Sequence, residues 1–248
     1  MAKGSIHIGT SGWSYRDWRV KFYPEKMKAT DYLPFFAERF NCVEINSSFY
    51  RMPLTTTVGN WVKKVPADFR FSPKMSKFLT HIKRLKEPEE PLERFFTVFD
   101  SMRKVMGPIL VQLPPTLKFD YDVAETFYKE CRKYKPHVFA MEVRHNSWMT
   151  EDSFNLMAKN NIAFVISQSG VGFPYAEMVT AKTIYFRFHG PEKLYASSYL
   201  DEHMQEYAHK FLEWQKEGHD IWVYFNNDWF TYAIQNADTL KKMCGLKR

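Results

Sequence analysis

Charged and hydrogen-bonding side chains recur at every second position in several short β-like runs of this chain, the spacing that puts them on one face of an extended strand. Glu142 alternates with Arg144, Tyr185 with Arg187 and His189, and Cys42 with Glu44 and Asn46. Other runs put Arg70, Ser72 and Lys74 on one face, then Gln112, then Ser167, and last Trp222, Tyr224 and Asn226. Cations gathered around carboxylates suit a small anion, because a guanidinium fork matches a carboxylate or phosphate in geometry. A carboxylate or imidazole in the same place supplies proton transfer. This selects Glu142 or Glu44 as general base and His189 as acid partner, with Lys74, Arg144, Arg187, Tyr50, Asn226, Gln112 and Trp13 holding the substrate. Carboxylates surrounded by cations stay ionised, which suits a base. A salt-bridge network explains any one of these residues, but not a set in which Arg70, Lys74, Arg144 and Arg187 face only Glu44 and Glu142.

Eight extended runs must position these side chains: 6–9, 42–46, 69–74, 109–113, 139–144, 163–167, 184–189 and 221–226. Between them apolar residues recur at helical spacing, as in Leu33, Phe36, Ala37 and Phe40, in Leu92, Phe95, Phe96 and Phe99, and in Met204, Tyr207, Ala208 and Phe211. Asp122 with Glu125 has the spacing of a capping box, Thr150 precedes two acids as a helix start does, and Pro91 suits a first helical turn. The stretch 170–182 is short and carries Pro174, so a turn or stub is expected where a helix would follow the sixth run.

Strict strand and helix alternation predicts an α/β fold, a TIM (β/α)8 barrel with parallel strands formed as a single domain over residues 1–248, the helix after strand six short or missing. An open doubly wound sheet is the competing arrangement. A barrel that only needed stability would line its axis with Val, Ile and Leu, whereas here the charged inward residues fall toward the C-terminal ends of the strands, where barrel enzymes build their sites. Two loops at that end stand out. Residues 10–18 pack Trp13, Tyr15 and Trp18 where a loop is ordinarily polar, which reads as a lid, a stacking wall or an apolar plug. Residues 77–86 form a basic segment longer than a barrel turn needs.

Composition narrows the function classes. With 45% hydrophobic and 25% charged residues the chain has material for a core and none of the bias of disorder. No run of some 20 apolar residues offers a membrane span, no signal-peptide pattern opens the chain, and a cytoplasmic protein without membrane contact is expected. Cys42, Cys131 and Cys244 are odd in number and far apart, which argues against a disulfide framework or a zinc cage. His203 and His209 are wrongly spaced for a metal pair on one helix face, and Trp214 and Trp222 read as packing residues. The net charge of +7 allows nucleic acid as a partner, though the excess is thinly spread, and a small anionic ligand is favoured. No phosphate-loop, dinucleotide, zinc-protease or nucleophile-elbow motif is present, so no cofactor and no metal are expected.

Six segments together resemble the YecE-like family, catalogued as domain of unknown function 72: Gly9-Thr10-Ser11-Gly12-Trp13, Val43-Glu44-Ile45-Asn46 leading to Phe49-Tyr50-Arg51, Gln112-Leu113-Pro114-Pro115, Glu142-Val143-Arg144-His145, Arg187-Phe188-His189-Gly190 and Phe225-Asn226-Asn227. They occur in the family's order over almost the whole chain, with Ser47-Ser48 where the family pattern has a threonine beside the phenylalanine. The resemblance implies a TIM barrel, a family without established activity, and polar positions at Glu44, Tyr50, Lys74, Glu142, Arg144, Arg187, His189 and Asn226.

The leading expectation is an enzyme acting on a phosphorylated or carboxylated, sugar-like metabolite by acid/base or hydrolytic chemistry. Alternatives are a divalent-metal isomerase or phosphoesterase using Glu44, Glu142, His189 and Asn226, a nucleic-acid-binding protein, and a non-catalytic ligand sensor.

Overall fold

A computed structural model of the chain describes residues 2–170 and 172–247. The eight expected runs become strands β1 Ile6–Ser11, β2 Cys42–Ile45, β3 Arg70–Pro73, β4 Ile109–Gln112, β5 Phe139–Glu142, β6 Ala163–Gln168, β7 Thr183–Phe188 and β8 Asp220–Phe225. All neighbours are parallel, in the order β3-β2-β1-β8-β7-β6-β5-β4. The two ends of that order meet through isolated bridges between Phe71 and Met106 and between Lys74 and Leu110, so the barrel is nearly closed. Backbone bonds from Gly107 N to the Phe71 carbonyl at 2.7 Å and from Met75 N to the Leu110 carbonyl at 2.8 Å bind that seam.

Helices α1 Tyr32–Ala37, α2 Ser47–Tyr50, α3 Thr55–Lys63, α4 Glu89–Val98, α5 Tyr121–Cys131, α6 Glu151–Lys159, α7 Asp201–Lys216 and α8 Tyr232–Met243 surround the strands. The connection from β6 to β7 holds no helix among its described residues, as Pro174 and the short spacing predict. Thr150 caps α6 by accepting from Ser153 N. The cap of α5 differs from the expected one. Asp120, not Asp122, accepts from Val123 N at 3.1 Å, because the helix starts two residues earlier than the Asp122–Glu125 spacing implies. No helix among the described residues is long and apolar enough to cross a membrane.

Strand parity divides the core in two. The outward set, including Ile8, Val43, Phe71, Val111, Met141, Ile166, Phe186, Phe188 and Val223, packs under the helices in one large apolar cluster. The inward set forms a separate axial cluster of Cys42, Leu110, Ala140, Ala163, Val165, Tyr185, Trp222 and Tyr224. Gly9 is inward too, and a Cβ there would lie 2.1 Å from the Cys42 carbonyl oxygen, so β1 approaches β2 only without a side chain.

The axis is layered. At the N-terminal end His7 stacks on Trp222 with ring centres 3.9 Å apart. The apolar layer follows, with Tyr224 Oη donating to Ser72 Oγ at 2.7 Å. Above it, at the C-terminal end, every inward side chain is polar or charged. The apolar layer is therefore a floor that seals the polar layer from the opposite end of the barrel.

Candidate functional site

Arg187, near the end of β7, is the centre of the polar layer. Its Nη2 donates to Glu44 Oε1 and its Nη1 to Glu142 Oε2, both at 2.7 Å, so one guanidinium joins carboxylates from β2 and β5 across the axis. Arg187 is 1% exposed and both glutamates are fully enclosed. Buried charges persist only when paired and hydrogen-bonded, and here each is. Glu44 also accepts from Ser11 Oγ at 2.8 Å and from Tyr185 Oη at 2.7 Å.

Glu142 accepts from four side chains. Its Oε1 takes Arg144 Nη2 at 2.5 Å, Ser167 Oγ at 2.8 Å and His189 Nε2 at 3.0 Å, while Oε2 takes Arg187. Three of the four donors crowd onto Oε1, which has two lone pairs, and Arg187 alone takes Oε2. Burial works to raise the Glu142 carboxyl, but Arg144, then Arg187 and the His189 hydrogen bond outweigh it and hold it well below the usual carboxylate range. Because an ionised carboxylate only accepts, His189 Nε2 carries the proton and Nδ1 is left to accept from Asn226 Nδ2 at 3.2 Å. Burial, then the nearby Arg187 charge, lower this imidazole to about 4, and at neutral pH it is an uncharged brace between Asn226 and Glu142.

The cluster meets solvent along one edge. Lys74 is 8% exposed and Arg144 9%, while Gln112, Asn46 and Asn226 are half-buried beside them. Lys74 Nζ donates to Gln112 Oε1 at 2.7 Å and lies 4.3 Å from the centre of the Phe49 ring. Burial first and the Arg187 charge second lower its amine from 10.5 to about 8, against the opposing pull of Glu142 and Glu44. The Phe173 ring covers one face of the Arg144 guanidinium at 3.4 Å and meets His189 edge-on at 5.3 Å. Arg144 Nε, Arg187 Nε and Asn46 Oδ1 are buried without a hydrogen-bond partner.

Of the residues expected at the site, Glu44, Glu142, Arg144, Arg187, His189, Asn226, Lys74 and Gln112 therefore share one connected layer. Three others do not join it. Arg70 has the right parity but sits at the start of β3, where it donates to the Ala67 and Phe69 carbonyls and its charge is felt by His7. The surplus of two positive charges thus falls to one, with Lys74, Arg144 and Arg187 facing Glu44 and Glu142. Tyr50 is 79% exposed and lines an outer groove with Arg51, Lys77, Phe78 and Arg94. Trp13 packs edge-on against Trp61 at 5.3 Å, and Trp18 and Tyr23 behind it are wholly buried, so the aromatic stretch after β1 is chiefly an apolar plug.

The basic stretch after β3 forms a π-helical turn over Phe78–Ile82 that buries Leu79 and Thr80, and Lys83 pairs with Glu87. Trp222 stacks in the axis as a packing residue, and His203 and His209 are exposed. Ser11, Ser167 and Tyr185 complete the network without having been named as site residues. Their inward parity was the available signal, whereas Phe173 and Phe49 lie on connections where parity gives none.

A metal reading meets an obstacle in this geometry, since Arg187 occupies the space between Glu44 and Glu142. Among the described residues no three His, Cys, Asp or Glu side chains converge as a ligand set.

The polar layer carries the motifs of the six family-like segments, and a family model described as "Protein of unknown function DUF72" matches residues 7–248. The chain belongs to the DUF72 family. Within it, UPF0759 protein YunF of Bacillus subtilis is 25% identical over 274 residues, covering 98% of this chain and 95% of the relative. UPF0759 protein YecE of Escherichia coli K12 is 30% identical over 111 residues, 45% of this chain and 38% of that one. The crystal structure of a DUF72 protein from Thermotoga maritima superposes with a TM-score of 0.86 at 28% identity, covering 97% of this chain and 99% of that chain. The DUF72 fold is therefore the parallel barrel described above, and membership brings no activity with it.

Proposed function

We propose that this DUF72 protein is an enzyme acting on a small anionic metabolite, carboxylated or phosphorylated, at the C-terminal mouth of the barrel. The observation that carries the reading is a division of labour by exposure. Glu44, Glu142, Arg187 and His189 are enclosed at 0–1%, whereas Lys74 and Arg144 reach the edge at 8% and 9%. A ligand at the mouth meets the two cations first. Arg144 is stiffened by Glu142 below and Phe173 above, so its guanidinium loses little freedom when it takes an anion.

Proton transfer falls to Lys74 in this reading. Glu142 is enclosed, engaged by four donors and held well below the usual carboxylate range, and His189 is locked between two hydrogen bonds. An amine at about 8 passes between charged and neutral forms near physiological pH, the condition for a general acid or base. The enclosed residues would then position rather than react, with Arg187 holding the two glutamates and Glu142 aiming Arg144.

Titration calorimetry with inorganic phosphate and with tartrate tests the reading. Binding at one site per chain is expected, weakened about tenfold or more by Arg144→Gln. Anion affinity unaffected by Arg144→Gln in a folded variant would overturn it.

A further inference from the structure

We propose that Lys74 is a carbonyl-directed nucleophile, its amine condensing with an aldehyde or ketone group of a small substrate whose carboxylate or phosphate Arg144 holds. The inference rests on the anion-binding reading of the mouth and adds a covalent step to it.

The pairing of buried lysines makes the case. Two lysines are buried among the described residues, Lys74 and Lys241. Lys241 has an ion pair with Asp238 at 3.1 Å and a hydrogen bond to the Arg39 carbonyl at 2.9 Å, so its charge is cared for. Lys74 has no ion pair among the described residues, and its hydrogen bond goes to the neutral amide of Gln112. The two glutamates of the same layer are already taken by Arg187 and Arg144. A buried lysine so placed, beside arginines and with no carboxylate of its own, is kept part of the time as the free amine even with the Phe49 ring 4.3 Å from its nitrogen, and only the free amine attacks a carbonyl.

The groups whose charge bears on Lys74 are Arg187, Glu142, Glu44 and Arg144, with His81 beyond the Phe49 ring. Their balance, added to burial, brings the amine down to about 8. About a tenth of it is then neutral at pH 7, against well under a thousandth for a lysine in water.

Position is fixed as well as protonation. Ser48 Oγ donates to the Lys74 carbonyl at 2.7 Å and Lys74 N to the Ile45 carbonyl at 3.0 Å, so the residue is anchored on both sides of its backbone. In the step proposed, the nitrogen lone pair bonds to the carbonyl carbon while the C=O π pair moves to oxygen, which takes a proton to give a carbinolamine. The nitrogen then loses one proton and expels the hydroxyl, which leaves with a proton as water. The product is a protonated imine, so that ammonium plus carbonyl compound yield iminium plus water.

Reductive trapping tests this. The full chain is incubated at pH 8 with pyruvate, glyoxylate or dihydroxyacetone phosphate and sodium cyanoborohydride, and the adducts are mapped by intact and peptide mass. The expected result is one adduct per chain on Lys74, formed roughly tenfold to a hundredfold faster than on surface lysines. It should be slowed by inorganic phosphate and by Arg144→Gln, and the site-specific adduct should be absent from Lys74→Arg. Labelling of Lys74 no faster than the surface lysines of the unmodified chain would overturn the proposal, and that readout needs no variant to fold. Parallel phosphate calorimetry separates the two claims. Anion binding without fast labelling overturns the covalent step alone, whereas loss of both overturns the anion-binding reading as well.

Discussion

Arg187 Nη1 donates to Glu142 Oε2 at 2.7 Å between two side chains that solvent does not reach. Three more donors converge on the same carboxylate. Glu142→Gln therefore has a structural consequence before any chemical one. The new amide would replace one accepting oxygen by an NH2 group among donors of which Arg144 and Arg187 cannot accept, and Arg187 would lose half of its buried compensation. Breaking one partner of a buried pair costs about 3–5 kcal/mol. A loss of that size is expected in urea unfolding at pH 7, and a change within about 0.5 kcal/mol would show that Glu142 is not the organiser of the layer.

Most of this layer was legible because parity in a strand is unforgiving. A shift of one residue in β7 would have turned Arg187 under the helices and Phe188 into the axis. What parity does not give is depth. Arg70 and Lys74 share one face near β3, yet four residues at about 3.3 Å each set them roughly 13 Å apart, at opposite ends of the barrel. Charge counting without depth placed both in one pocket. Trp13 lies beyond β1 and Tyr50 closes the single-turn helix α2, too short for a helical period to be read, so their packed and outward positions follow from tertiary contacts. The crowding of donors on Glu142 was hidden for another reason: Ser167 from β6 and Arg187 and His189 from β7 and its C-terminal end meet it only after the sheet has closed.

Gly9→Ala probes the strand approach that lets Ser11 reach Glu44. The added Cβ would lie 2.1 Å from the backbone oxygen of Cys42, so relief requires β1 and β2 to part. Overpacking of this kind costs about 1–3 kcal/mol. Cys42→Ala should not restore the loss, because the collision is with backbone rather than with the thiol. Rescue by Cys42→Ala in thermal unfolding would disprove that account.

Acid should destabilise the protein in two stages. His189 is lowered from 6.5 to about 4 by burial and then Arg187, and His7 to about 4 by burial and then Arg70. Between those values the unfolded chain takes up protons that the folded one does not, so stability falls as pH drops from 6.5 toward 4, by up to about 3 kcal/mol for each histidine. Below 4.5 Glu142 adds to the loss, since the unfolded carboxyl protonates while the folded one stays ionised. Urea midpoints measured from pH 7.5 to 4.5 should show this slope, and His189→Asn should flatten it by about half. An unchanged slope in His189→Asn would mean that the imidazole is not held neutral.

Lys74 has the opposite linkage to a stabilising pair. The folded protein disfavours its ammonium, so the cost of burying that charge is present in full below pH about 8 and disappears as pH rises from there to the ordinary 10.5. Stability should therefore increase with pH over that window as far as Lys74 is concerned. Lys74→Met keeps a long apolar side chain beside Phe49 and removes both the charge and its 4.3 Å contact with that ring, while the half-buried Gln112 amide turns to solvent. The variant is expected to be more stable than the parent at pH 7 by about 1–3 kcal/mol, with the gain shrinking toward pH 10. A structural lysine would give the reverse, a loss at pH 7 on removal. Urea unfolding of parent and variant at pH 7 and pH 10 decides between them, and a gain confined to pH 7 is the signature of an amine retained at a stability cost for what it does to a ligand.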